Sequence, residues 1–131
     1  MNKRSSVLLA LLIVVIVGVA LAVGLSGNRS AANGCKPGVG TAYTAVIQGS
    51  KVISADRVKG KLCDTLTIVN KDNEAREIAF GNHEAHVPYD GIAERVLSKG
   101  QSLTITFNKA GSFHWHDHLH DEVEGFFTVS N

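Results

Sequence analysis

The stretch GSFHWHDHLHDEVEGFFTVS (residues 111–130) decides how this chain folds. Phe113 and Trp115 take one parity of it, and His114 and His116 take the other. Residues i and i+2 of an extended strand share a face, so the pattern predicts a strand with an aromatic core face and a histidine outer face. Asp117 follows, then a loop expected to carry His118, His120, Asp121, Glu122 and Glu124. Residues 126–130 read as the returning strand.

The same period of two runs outward from that stretch. SLTITF (residues 102–107) points Leu103, Ile105 and Phe107 inward and Ser102, Thr104 and Thr106 outward. LCDTLTIVN (62–70) sets Leu62, Asp64, Leu66, Ile68 and Asn70 on one face, and its middle reads as buried on both sides. TAYTAVIQG (41–49) alternates Tyr43, Ala45 and Ile47 against Thr44, Val46 and Gln48, and REIAF (76–80) is a short strand. Turn signals NKDN (70–73), SKGQ (98–101) and NKAG (108–111) separate these runs. Short strands with turns at such spacing predict an all-β fold, an antiparallel Greek-key sandwich or barrel. No long 3.6-residue apolar period follows Leu25, so at most one short helix or turn is expected, near residues 89–95.

The histidines are concentrated. Of six, four occupy alternate positions from His114 to His120, and the other two are the pair His83 and His86. Two imidazoles projecting from one face of a strand can share an ion, and imidazole suits copper, zinc, nickel and iron. His83 and His86 could supply further ligands if their loop lies beside the strand. The competing readings are a pH-responsive surface, since histidine titrates near neutrality, and a plain solvent face.

The N-terminal part has a different character. Residues 7–25 are all apolar or Gly and follow Lys3 and Arg4, which is enough to span a bilayer as one helix with the remainder outside. A cleaved signal peptide is the alternative, but no polar residue interrupts the run before Ser26, which favours an uncleaved anchor. Residues 1–27 are thus read as anchor or signal segment, 28–40 as a Gly/Ser/Asn-rich flexible linker, and 41–131 as the folded domain. Two cysteines, Cys35 and Cys63, fit an exported compartment and suggest one disulfide, with soft metal ligation as the alternative. Without residues 1–27 the 13 basic side chains lose Lys3 and Arg4, leaving 11 against 12 acidic ones, a net charge near −1. That balance argues against nucleic acid as a partner and against a polybasic membrane surface.

Gly111, Ser112, Phe113, Trp115, His120, Gly125 and Val129 together resemble the C-terminal ligand loop and flanking strands of the cupredoxins, the blue-copper family. The segments at 96–107 and 66–80 resemble the strands that precede that loop and carry the first ligand. The resemblance covers roughly residues 62–131 and implies a cupredoxin-like sandwich. A blue-copper site needs a Cys thiolate, two His and a weak axial Met. In this chain those places hold Asp117, Arg76, His120 and Val123, so only His120 is retained. The resemblance leaves Asp117 two alternatives: it ligates a metal, or it pairs with Arg76 and closes the old site, because an unpaired buried charge is costly. It also implies that His83 and His86 lie near His114 and His116.

The expected function is therefore a membrane-tethered, extracytoplasmic metal-binding domain that captures or hands on copper without catalysis. Its candidate ligands are His83, His86, His114, His116, His118, His120 and Asp117. Nitrogen-rich ligation favours Cu(II), with Zn(II) behind it. A protein that receives the metal or an electron is an open partner. The alternatives are an electron-transfer domain and a metal-free interaction module closed by an Arg76–Asp117 pair.

Overall fold

The structure is a computed structural model that describes residues 34–36 and 38–131. The expected membrane segment at 7–25 and most of the linker lie outside the described residues. Among the described residues every regular element is a strand: β1 (Ala42–Ile47), β2 (Val52–Ser54), β3 (Arg57–Lys61), β4 (Thr65–Asn70), β5 (Arg76–Asn82), β6 (Ala85–His86), β7 (Glu94–Leu97), β8 (Ser102–Thr106), β9 (Gly111–Asp117) and β10 (His120–Ser130). They form two sheets, β2-β1-β4-β8 and β3-β10-β9-β5-β6, with β7 paired to the edge of β5. The sandwich core lies between them, built from Ile47, Leu66, Ile68, Phe80, Ile105, Phe107, Trp115 and Phe127, all nearly inaccessible to water.

The alternations at 102–107, 64–70 and 41–49 point inward as the sequence predicts, whereas Leu62, expected on the same face as Leu66 and Ile68, is exposed ahead of β4. The outer face of β4 is only half-buried at Thr65, Thr67 and Val69, because one face of that sheet has no covering layer. Two further features differ from expectation, the parallel ladders and the turn after Asp117. The sandwich is not wholly antiparallel: β1 runs parallel to β4, and β10 parallel to β3. Parallel pairing needs a long crossover, and the segment carrying β2 and β3 supplies it between β1 and β4. Near residues 89–95 the expected short helix or turn is a turn. Asp90 and Gly91 both take positive φ (50° and 73°) in a tight turn closed by Tyr89 and Ile92, the conformation a two-residue Asp-Gly hairpin adopts. The expected loop after Asp117 is a short turn at His118 and Leu119, with β10 starting at His120 and bulging before Glu124. The expected disulfide joins Cys35 to Cys63 across 28 positions, and Cys35, in the segment read as linker, is buried. Such a closure contributes about 3 kcal/mol through the unfolded chain.

Trp115 is fully buried, and Gly125 lies directly across from it on β10. A Cβ at Gly125 would sit 2.5 Å from the indole, so the ring occupies the space a side chain would need. Gly125→Ala should therefore lower stability by about 1–3 kcal/mol through overpacking. Thermal unfolding followed by Trp115 fluorescence would show it, and an unchanged midpoint would mean that the ring has another place to go.

Candidate metal centre

Strand β9 divides the candidate ligands between two environments. Its inward parity ends in Asp117, which is fully buried. Its outward parity carries His114 and His116 and continues into the turn with His118.

Asp117 meets Arg76, whose Nη1 donates to Oδ2 at 3.1 Å. His120 Nδ1 stands 3.1 Å from the same oxygen, and the amides of Glu77 and Leu119 donate to Oδ1 at 3.0 and 3.1 Å. A carboxylate offers about four acceptor positions, and all are engaged. The other Arg76 terminal nitrogen donates to Asp72 at 2.7 Å and to Ser50 at 3.0 Å. Burial works against the Arg76 charge, but the hydrogen bonds and charges of Asp117 and Asp72 outweigh it and raise its pKa. Burial likewise opposes ionisation of Asp72, and the Gly49 and Ser50 amides together with Arg76 hold its carboxyl below the usual range. Val123, at the place of the axial ligand, is fully buried among apolar neighbours. A buried guanidinium paired to a carboxylate whose acceptor positions are all engaged does not fit a cupredoxin copper ion, so of the two alternatives for Asp117 the structure takes the ion pair, with Arg76 Nε left without a partner.

The outer face is the opposite case. β6 returns on β5 through a turn at His83 and Glu84, closed by the Asn82–Ala85 pair. Gly81 permits this tight return: its φ is +88°, and a Cβ there would lie 2.8 Å from the Val87 amide nitrogen. The hairpin lays His83 and His86 over β9. The ring centroid of His83 lies 5.6 Å from that of His116 and 4.7 Å from that of His118, and the ring of His86 lies 5.3 Å and 4.8 Å from the same two. His116, expected on an outward face, is therefore only 2 % exposed. Small Ala79 beside it on β5 leaves room for the rings above.

The rim histidines each hold a carboxylate. His83 Nδ1 is 3.0 Å from Asp121, His86 Nδ1 contacts Glu94, and His114 Nε2 is 2.8 Å from Glu124. His116 holds nothing: both of its ring nitrogens are buried without a hydrogen-bond partner. Burial, reinforced by possible positive charge on His114, His86, His83 and His118, lowers its pKa below the ordinary imidazole value. One nitrogen each from His83, His116 and His118 lies within 4.8 Å of the other two. Among the sequence candidates the structure thus gathers His83, His86, His116 and His118, places His114 at the edge, and puts His120 and Asp117 in the ion-pair network inside. Glu94 went unremarked in the sequence. ERVL (94–97) carries no metal-ligand spacing, and only the register of β7 beside β5 brings Glu94 to His86.

The chain resembles solved structures of amicyanin. These include the protein from Paracoccus versutus (25 % identity, TM-score 0.54, covering 68 % of this chain and 81 % of that one). They also include a reduced Cu(I) form of a point mutant at pH 4 (23 %, 0.56, 68 % and 82 %) and an oxidised mutant (23 %, 0.56, 68 % and 82 %). No family model matches the sequence, and no curated protein matches it. The fold is cupredoxin-like.

Two outcomes follow. Removing one partner of the Arg76–Asp117 pair strands a buried charge, so Asp117→Ala should destabilise by about 3–5 kcal/mol, whereas Arg76→Met with Asp117→Leu should cost much less than the two single changes summed. A double-mutant cycle in urea measures this, and additive losses would refute the pairing. The second concerns pH. With a lowered native pKa, His116 binds a proton in the unfolded chain before the folded one does. Stability of the metal-free protein should thus fall as pH drops through about 6.5, and go on falling until folded His116 also protonates. The dependence should be shallower in His116→Gln, measured by urea unfolding between about pH 8 and 5 with a chelator present.

Proposed function

We propose that this domain is a non-blue copper-binding module, centred on His83, His116 and His118, that captures copper and hands it on. The observation that carries this reading is His116. A buried imidazole with both nitrogens unpartnered is costly unless something binds it, and two more imidazole donors converge on it. Its lowered pKa keeps it neutral, the form that ligates. Nitrogen donors favour Cu(II) over Zn(II). Among the described residues no cysteine is free, so a thiolate and its blue colour are lacking. His83 is half exposed and reachable by a metal donor or acceptor, which supports transfer rather than catalysis. The cupredoxin-like fold and the copper of the amicyanin structures are consistent with the metal. The apolar run at 7–25 and the disulfide fit a single-pass membrane protein with this domain outside the cytoplasm. The Arg76–Asp117 pair favours a second reading, a metal-free interaction module, because it already neutralises the inner site.

Titrating the purified full chain with Cu(II) against a weak competitor tests this. The expected result is a tight equivalent with a nitrogen-rich, non-blue EPR spectrum, and weaker binding at pH 5 than at pH 7 as imidazoles protonate. His116→Ala or His118→Ala should weaken it by more than the about 10–100-fold that loss of an outer hydrogen-bond partner produces. An unchanged melting temperature with copper present would support the metal-free reading instead.

A further inference from the structure

The two nitrogens of the His86 ring have different partners. Nδ1 contacts Glu94 Oε1, and Nε2 lies 3.1 Å from His118 Nδ1. Both positions are engaged, so the ring stands as a link between Glu94 and His118 and has no nitrogen left to offer a metal.

The register of the sheet builds this link. His86 pairs with Gly81 and Glu94 with Ala79, two positions apart on β5. Positions two apart on a strand share a face, so the two side chains rise together over it. The His86 side chain is 15 % exposed, and water competes little for its nitrogens.

Hydrogen-bond chemistry then orders the protons. An ionised carboxylate accepts and cannot donate, and a neutral imidazole carries its proton on one nitrogen only. With Glu94 on Nδ1, the His86 proton sits there and Nε2 is an acceptor. His118 Nδ1 must donate to that acceptor, so the His118 proton also sits on Nδ1. The opposite order would set the lone pair of His86 Nδ1 against the carboxylate. Nε2 of His118 is thereby its unprotonated nitrogen, the form a metal needs. His83 is treated alike, since its Nδ1 lies 3.0 Å from Asp121 Oδ1. Two of the three candidate donors thus have Nδ1 engaged, His83 by a carboxylate and His118 by a carboxylate acting through a second ring.

We propose that His86 is a positioning residue rather than a ligand, and that with Glu94 it forms a relay holding His118 in the tautomer that ligates through Nε2. The proposal rests on the reading that His83, His116 and His118 bind Cu(II). It goes further in separating donors from their supports: His86, a candidate ligand by sequence, supports a donor instead.

The test starts with the metal-free, isotope-labelled full chain at about pH 8, where a histidine of ordinary pKa is neutral. Long-range proton–nitrogen NMR correlations report which ring nitrogen carries the proton. His86 and His118 should both be Nδ1–H, whereas a neutral histidine without partners favours Nε2–H. Glu94→Ala should return both rings toward Nε2–H. Glu94→Gln, which keeps an acceptor for Nδ1, should not. Thermal melts establish which variants fold, and Cu(II) is then titrated against a weak competitor. His86→Ala and Glu94→Ala should each keep one equivalent, with the same number of nitrogens coupled in EPR, and bind it about 10–100-fold more weakly. Glu94→Gln should stay close to the unaltered chain. If His86→Ala does not fold, Glu94→Ala and the tautomers decide. The relay is overturned if either ring of the unaltered chain is Nε2–H, if His86→Ala loses a coupled nitrogen, or if the Ala variants bind as tightly as the unaltered chain. In those cases tight binding by the unaltered chain leaves the copper reading standing. If the unaltered chain binds no Cu(II), the copper reading fails and the positioning role with it.

Discussion

The pleat of β9 admits only one parity of its side chains to the sandwich, and Trp115 takes that place. The indole lies on Gly125, the strand's partner across the ladder, and fills the space that a side chain there would need. A one-residue slip would send every side chain of the strand to the other face. With Trp115 held inside, Asp117 must end the inner parity and His116 must stand on the outer one. The separation of two polar centres that are one residue apart in sequence follows from this single packing constraint.

The two centres satisfy opposite conditions. Inside, Arg76, Asp72, Asp117, Ser50 and His120 exchange enough hydrogen bonds that the carboxylate has no acceptor left. At the end of the inner parity of β9 this chain holds an ion pair. Outside, His116 is buried as deeply but left without a partner. Buried polar groups are overwhelmingly hydrogen-bonded, so the contrast within one strand is informative. The Asp117 carboxylate is fully engaged and only Arg76 Nε of the inner pair lacks a partner, which has the character of structure. His116 has neither ring nitrogen engaged, which has the character of a site.

The hairpin carrying His83 and His86 converts a surface strand into a pocket. It is short, turns tightly at Gly81, and is joined to the sandwich mainly through β5. The carboxylates Asp121 and Glu94 sit at its two histidines, and Glu124 sits at His114 of β9; each holds one nitrogen of its ring. In metal sites such outer partners select the tautomer and aim the remaining lone pair. The carboxylates come from β7 and β10, so both edges of the pocket are set by neighbouring strands rather than by the hairpin itself.

The sequence by itself determined the fold class, the inward residues of β1, β4, β8 and β9, and the concentration of histidine chemistry near β9. Those properties depend on a period of two along each strand, which is local and written in residue order. The Cys35–Cys63 bond was also legible, since an even pair of cysteines downstream of an apolar N-terminal run reads as one disulfide. The strands β2 and β3 were not legible, because they are short and VISADRVKGK lacks a run of alternating apolar residues. Only the tertiary structure decided the parallel ladders, the pairing of Arg76 with Asp117, the burial of His116 and the arrival of Glu94. Each of these joins residues from strands far apart in sequence. His116 has the spacing of a solvent-facing residue, and it is buried because a hairpin some thirty positions earlier folds over it. Contacts between distant strands depend on register and crossover, and neither is recorded in the local pattern of side chains.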